Sequence, residues 1–289
     1  MPGVTLVAVV DTNGPRAAEI AAPSGARAVS NVCDVLDQVD LVSIATPTEV
    51  HAAVAHQCLA RRVPVLVEKP LARSVRECDD MIAAAAAAGT ILAVGHTERF
   101  NPAVLAARSA IDNPGFIEIH RLGTFPERSL DIDVVFDLMI HDLDLVLSFV
   151  PSPVESIEAV GVPVLTERAD IANARIRFAS GCVANITASR ISRDRVRKIR
   201  FFQRDAYISI DCGAKEAEVY RLLRPEGRRP VIEGGSIPVV DSEPLRNELE
   251  DFVAAVREHR APMVGGSDGR NAVVLAEQIT ERMAACMRT

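Results

Sequence analysis

Residues 63–72 read VPVLVEKPLA, and the fold follows from how this stretch is read. The run 63–68 is almost continuously apolar, which is the mark of a parallel strand covered on both faces. It stops abruptly at Glu68-Lys69-Pro70. Pro70 keeps Lys69 out of the helical region and fixes its direction. In an open α/β sheet, ligands bind at the carboxyl ends of the strands, so Lys69 stands where chemistry is done. The plain alternative is a surface lysine with a buried stem. Its position at a strand end favours the functional reading.

Working outward, four more runs resemble that strand: VTLVAVVD (4–11), ARAV (26–29), DLVSIAT (40–46) and ILAVGH (91–96). Helical patterns alternate with them, which predicts a doubly wound parallel sheet. Ser74 and Glu77 form a candidate capping box, and Gly89 a candidate helix end. Beyond residue 100 the pattern changes. A helix is expected near NPAVLAARSAI, a strand at 116–125 and an apolar helix at 134–150. Strand-like segments follow to residue 211, with turns at Ser180-Gly181 and Arg204-Asp205. Successive hairpins predict an antiparallel sheet with one open face. Helices at about 245–258 and 268–287 close the chain. The expected domains are 1–99 and 100–289.

Composition narrows the function classes. The chain has 289 residues, 48% of them hydrophobic, with a formal net charge of -7. That balance speaks against a nucleic-acid partner, which calls for a basic face. No apolar run approaches the ~18 residues of a membrane span. Six scattered cysteines without a C-x-x-C pair speak against a zinc site and for reduced thiols, hence a cytoplasmic setting.

Further constellations carry candidate chemistry. In FDLMIHDLDL (136–145), Asp137 and His141 lie four apart and share a helix face, with Asp144 close to it. An acid and a histidine on an apolar helix are costly unless paired or functional. A satisfied pair is the alternative, at even weight. In VGHTERFNPAV (94–104), Asn101 and Pro102 read as a helix start, and Arg99 and Asn101 are candidates to face substrate. ATPTEVH (45–51) is another strand end suited to lining a cofactor. The basic run 189–204 reads mainly as a solvated sheet face.

These pieces occur in the order found in the Gfo/Idh/MocA oxidoreductases, and the chain resembles that family over nearly its whole length. The resemblance implies a Rossmann domain plus an α+β domain with an open-faced antiparallel sheet, an NAD cofactor and a sugar-type substrate oxidised at a hydroxyl. Carried over by motif, Lys69, Asp137 and His141 match the catalytic set. Thr46, Pro47, His51, Glu68 and Lys69 match positions lining the nicotinamide. Asp144 matches a position that touches substrate hydroxyls, and Pro70 is expected in cis. The segments look most like the branch that oxidises the 3-hydroxyl of UDP-N-acetylglucosamine. UDP-N-acetylglucosaminuronate and inositol remain alternatives. A homodimer or homotetramer through the open sheet is implied.

One piece of the pattern is out of place. Asp11 ends the first strand, where an acid holds the adenine ribose and favours NAD, while nearby Arg16 leaves NADP open. Such an acid usually follows a G-x-G-x-x-G loop by about 20 residues. Only ten residues precede Asp11. The expectation is an N-terminally truncated Rossmann domain lacking strand 1 and the phosphate loop, with an apolar edge exposed and weak or absent activity in this 289-residue chain. The alternatives are a sugar-nucleotide-binding pseudoenzyme or a native start further upstream.

Overall fold

In the computed structural model, residues 1–125, 132–226 and 228–286 are described. Two compact units emerge. One comprises residues 1–95 and 248–270, the other 96–247 and 271–289. The second differs from the contiguous span 100–289 expected from sequence, because residues 248–270 cluster with the first unit. Segment 248–270 joins it through side chains and backbone: Phe252 packs with Leu66 and Ala93, Arg270 pairs with Asp79, and Val94 N donates to the Val264 carbonyl at 3.1 Å.

The first unit alternates β1 (Ala8–Val10), α1 (Gly14–Ala21), β2 (Arg27–Val29), β3 (Val42–Ile44), α2 (Thr48–Ala60), β4 (Val65–Glu68), α3 (Val75–Ala88) and β5 (Leu92–Gly95). All pairings among these strands are parallel. β4 is buried along Val65, Leu66 and Val67, as the apolar run 63–68 demands. Ser74 Oγ accepts from Glu77 N at 3.3 Å and caps α3. The Glu77 carboxylate reaches back to Arg73 N, one residue beyond a standard capping box. Gly89 takes φ 63° and ends the helix in the left-handed region that glycine enters without strain.

The parallel sheet is divided. β1 pairs only with β2, and β3-β4-β5 form a separate ladder. Among the described residues no strand joins the two. The strand expected over 4–11 is regular only over three residues, because β1 has a partner on one side alone and that partner is itself short. Val4 and Leu6, ahead of β1, are 40% and 50% exposed.

The second unit begins with α4 (Pro102–Ala107) and β6 (Phe116–Leu122). A π-helical segment, Val135–Met139, leads into α5 (Ile140–Phe149). Then come β7 (Val154–Val162), β8 (Ile171–Phe178), β9 (Val183–Ser189), β10 (Val196–Gln203), β11 (Ala206–Asp211), β12 (Glu216–Leu223) and β13 (Val231–Ser236). Helices α6 (Pro244–Glu258) and α7 (Gly266–Cys286) finish the described chain, and the unit boundaries fall within both. Residue 287, expected in the last helix, lies outside the described residues.

The sheet has the order β13-β12-β11-β10-β6-β9-β8-β7. It is mixed, not wholly antiparallel: β6 and β9 run parallel at its centre. The connection between them carries α5 and two strands, long enough for a crossover that a hairpin could not make. The expected turns at Ser180-Gly181 and Arg204-Asp205 do join antiparallel neighbours. Strands β12 and β13 escaped the sequence reading because their residues are largely exposed and lack an apolar period. Alternation is strict in β6 and β8. Ile117, Ile119, Ile186, Ile199, Phe201, Ile208 and Ile210 point into one core with Met139, Leu143, Val146 and Ile279. Among the described residues, no helix is long and apolar enough to cross a membrane.

Candidate active site

In the first unit, the carboxyl ends of the strands gather the expected residues. Asp11 follows β1; its Oδ1 accepts from Asn13 N at 2.8 Å, and Oδ2 lies 3.7 Å from Arg16 Nε. Thr46 and Pro47 follow β3, with Pro47 at the N-cap position of α2. Glu68 and Lys69 end β4, and the Lys69–Pro70 peptide is cis, as expected.

His51, on α2, is 1% exposed and ties two of these loops together. Its Nε2 lies 2.8 Å from the Thr46 carbonyl oxygen and its Nδ1 3.0 Å from that of Pro70. Both partners can only accept. A neutral ring donates to one of them, and a doubly protonated ring to both. His51 thereby holds backbone, with both ring nitrogens within hydrogen-bond distance of carbonyls of the protein.

Glu68 Oε2 accepts from Lys69 N at 3.3 Å. Burial pushes the Glu68 carboxyl above its ordinary pKa, against the pull of that N–H and of the Lys69 and His51 charges. Gly95, paired with Glu68 in register, leaves the room this carboxylate needs. A Cβ at Gly95 would sit 3.1 Å from both Glu68 Cα and Oε2.

In the second unit, Asp137 lies within the π-helical segment and His141 in the first turn of α5. The single regular helix expected over 134–150 is thus interrupted. Asp133 Oδ1 caps the segment by accepting from Val135 N and Phe136 N. π-turns of this kind are frequent at functional sites. Asp137 and His141 are both half-buried.

Three residues expected to contact substrate have other partners. Arg99 and Asp144 form a buried bidentate pair, Nε to Oδ2 at 2.7 Å and Nη2 to Oδ1 at 2.8 Å. Both Asp144 oxygens accept from Arg99, and Asp144 is 1% exposed. Asn101 is also buried. Its Oδ1 caps Ala103 N, and its Nδ2 donates to the Cys212 carbonyl and to Glu98. Arg99, Asn101 and Asp144 are thus each tied to partners within the protein.

The sequence reading missed a second buried pair. Arg121, on β6, donates to both oxygens of Asp142 at 2.8 Å and to Glu98 at 2.6 Å. Burial opposes the Arg121 charge, yet the Asp142 and Glu98 carboxylates outweigh it and hold its pKa above the ordinary arginine value. Burial likewise opposes the Glu98 charge, and Arg121 brings that carboxyl below its usual range. A signal was present. In FIEIHRL, Arg121 falls on the same period-two face as Ile117 and Ile119, and an inward charge requires a partner.

A parallel α/β unit with an acid after one strand and Glu-Lys-cis-Pro after another, in one chain with a sheet unit carrying an Asp-x-x-x-His helix, defines a nicotinamide-dependent oxidoreductase. Residues 1–96 match the family described as "Oxidoreductase family, NAD-binding Rossmann fold", and residues 103–209 match the Gfo/Idh/MocA C-terminal domain. The chain is 39% identical over 287 residues to UDP-N-acetylglucosamine 3-dehydrogenase of Acidithiobacillus ferrooxidans, covering 98% of this chain and 91% of that one. A solved structure of that enzyme superposes with a TM-score of 0.90, covering 96% and 90% of the two chains at 38% identity. An inositol 2-dehydrogenase of Rubrobacter xylanophilus is 32% identical over 56% of this chain and 49% of its own. A levoglucosan dehydrogenase, solved with NADH and levoglucosan, shares the fold at a TM-score of 0.86 and 21% identity, covering 97% and 88%. The chain belongs to the Gfo/Idh/MocA oxidoreductase family.

The residues present fit the two ends of a dinucleotide. Asp11 offers a carboxylate for the ribose, and Thr46, Pro47 and Lys69 stand at strand ends suited to the nicotinamide. Among the described residues no glycine-rich turn precedes β1 to take the pyrophosphate.

Proposed function

We propose that this enzyme oxidises the 3-hydroxyl of UDP-N-acetylglucosamine with NAD. The observation that carries the reading is 39% identity over 98% of the chain to an enzyme of that name. Bound NAD+ supplies the hydride acceptor. The chain's own part is proton handling and charge. A His141 ring nitrogen takes the hydroxyl proton, Asp137 orients the imidazole, and Lys69 Nζ stabilises developing alkoxide charge. Asp11 favours NAD over NADP.

The cofactor is assigned to residues 1–99 and the sugar nucleotide to residues 100–289. The setting is the cytoplasm, in keeping with the free cysteines Cys33, Cys58, Cys78, Cys182 and Cys212. A homo-oligomer through the sheet is supported by an aromatic row across four strands. Phe116, Phe202, Tyr207 and Tyr220 stand in register, with ring centroids 5.7, 5.2 and 6.4 Å apart.

NADH appearance at 340 nm with UDP-N-acetylglucosamine, its uronate and myo-inositol tests the substrate. Turnover of the first above the other two is expected; preference for either of the others overturns the assignment. His141→Ala should lower turnover about 10²–10⁴-fold, the usual worth of positioned acid–base help. Wild-type turnover in that variant across the pH range removes His141 from the mechanism.

A further inference from the structure

Two arginine clamps grip the helix turn that carries His141, one on each side of it. Asp142 and Asp144 follow His141 at +1 and +3. An α-helix advances about 100° per residue, so Asp142 points about 100° to one side of the imidazole and Asp144 about 60° to the other. Each is held at two oxygens by a buried guanidinium: Asp142 by Arg121 and Asp144 by Arg99. Rolling the turn in either direction breaks a bidentate pair.

The anchors are themselves fixed. Arg121 projects from β6, which is paired on both sides at the centre of the sheet. Arg99 lies in the short 3-10 turn Thr97–Phe100, whose next residue, Asn101, is pinned to Cys212 and Glu98. Glu98 also holds Arg121, so the two clamps share one network.

The helix backbone alone does not set this rotation. The turn before Ile140 is π-helical, with Ile140 N bonded to the Val135 carbonyl, and π-turns are rare and irregular. Nor does stability call for four buried charges. Replacing a buried ion pair by apolar side chains of similar volume is often neutral or stabilising. What the pairs supply that apolar side chains would not is direction.

We propose that Arg99–Asp144 and Arg121–Asp142 are positioning pairs that fix the rotation of the His141 turn. Their effect on turnover rests on the reading of His141 as the proton acceptor; their effect on His141 geometry does not. Two paired replacements of the full chain test this, Arg121→Met with Asp142→Leu and Arg99→Met with Asp144→Leu. The Arg99 pair should keep the thermal midpoint of the wild type or raise it, and the Arg121 pair, which leaves Glu98 without its guanidinium, should stay folded with a midpoint above that of Arg121→Met alone. Turnover should fall about tenfold to a hundredfold, the scale of a misplaced catalytic group, with a smaller change in KM for the sugar nucleotide. Arg121→Lys keeps the charge but gives up the fork, and should fall between wild type and the first pair.

A readout independent of activity is the His141 ring resonance in histidine-labelled protein, assigned by its loss in His141→Ala. One narrow signal is expected in the wild type, and a broadened or multiple signal in each paired replacement and in Arg121→Lys. An unchanged narrow signal in folded paired variants overturns the proposal. A wild type inert towards sugar nucleotides, with the signal still broadened by the replacements, overturns the substrate assignment and leaves the clamps standing.

Discussion

The Glu68-Lys69-Pro70 segment and the His141 turn are held by opposite means. At the end of β4, backbone does the holding: parallel ladder bonds on both sides, and one histidine spanning the Thr46 and Pro70 carbonyls. Around His141, side-chain charges do it, with Arg99, Arg121, Asp142, Asp144 and Glu98 all buried or nearly so. A strand end inherits its direction from its neighbours in the sheet. A helix turn next to a π-segment has no such neighbours and needs side chains to stop it rolling. The contrast predicts that damage at the first site is moderate and local, and damage at the second severe unless charges are removed in pairs.

The largest effect should come from breaking one clamp on one side only. Arg121→Met leaves Asp142 and Glu98 buried without their guanidinium. Removing one partner of a buried pair costs about 3–5 kcal/mol. Urea unfolding followed by a probe in the second unit should show a loss of that size. The paired replacement with Asp142→Leu should recover part of it, since Asp142 no longer carries a charge while Glu98 still lacks its guanidinium. A single variant as stable as the wild type would mean that these charges are hydrated, and the contrast between the two sites would fail.

A third buried pair, remote in sequence from His141, sharpens the comparison because its charge is held mainly by backbone. Asp170 is fully buried and pairs with Arg190. Its Oδ2 accepts from Val164 N, Leu165 N and Thr166 N at 2.8, 2.6 and 2.9 Å. Burial opposes the charge, but these N–H groups outweigh it and hold the carboxyl well below the ordinary carboxylate range. A depressed folded pKa gives stability that is present above the unfolded value and lost as pH falls towards the folded one. Asp170→Asn should therefore cost about 2–3 kcal/mol at pH 7, as hydrogen bonds to a charged acceptor are the stronger kind. The difference from wild type should shrink as pH drops below about 4. Denaturation curves of both proteins at pH 7, 5 and 3 check it; a gap that widens on acidification contradicts the assigned sign.

What could be read from the sequence follows the same division. The β4 strand, the cis Lys69–Pro70 bond, the Ser74 cap and the Gly89 stop were legible because each depends on neighbouring residues or on a recurrent motif. The π-segment at 135–139 was not, since an extra residue in a turn leaves no mark on a pattern as uniformly apolar as VVFDLMI. Motifs single out Arg99, Asn101 and Asp144 as site candidates, but not their partners. Motif spacing places such residues near a site without saying whether their polar atoms face a ligand or each other. Only the partners, 45 residues apart for Arg99 and Asp144, decide that. The division of the parallel sheet into two ladders depends on which strands meet and was not legible. Nor was the parallel β6–β9 pair, because it depends on which distant strands meet.

The smallest effect should be at His51, and it bears most directly on whether the strand end is held by backbone. His51→Phe keeps the ring's volume against α2 and removes both polar contacts. The Thr46 and Pro70 carbonyls then lose a donor in a partly buried setting, where an unsatisfied group costs about 1–3 kcal/mol when fully buried. The lower half of that range is expected, because Pro70 is half-buried and Thr46 exposed, so water can replace part of what is lost. His51→Gln offers a side-chain N–H that can reach one carbonyl, and should recover part of the loss. Thermal unfolding of the three proteins, followed in the first unit, orders them wild type, Gln, Phe. If Phe matches the wild type, the ring's packing and not its two hydrogen bonds holds these loops. Lys69 would then owe its direction to β4 and Pro70 alone.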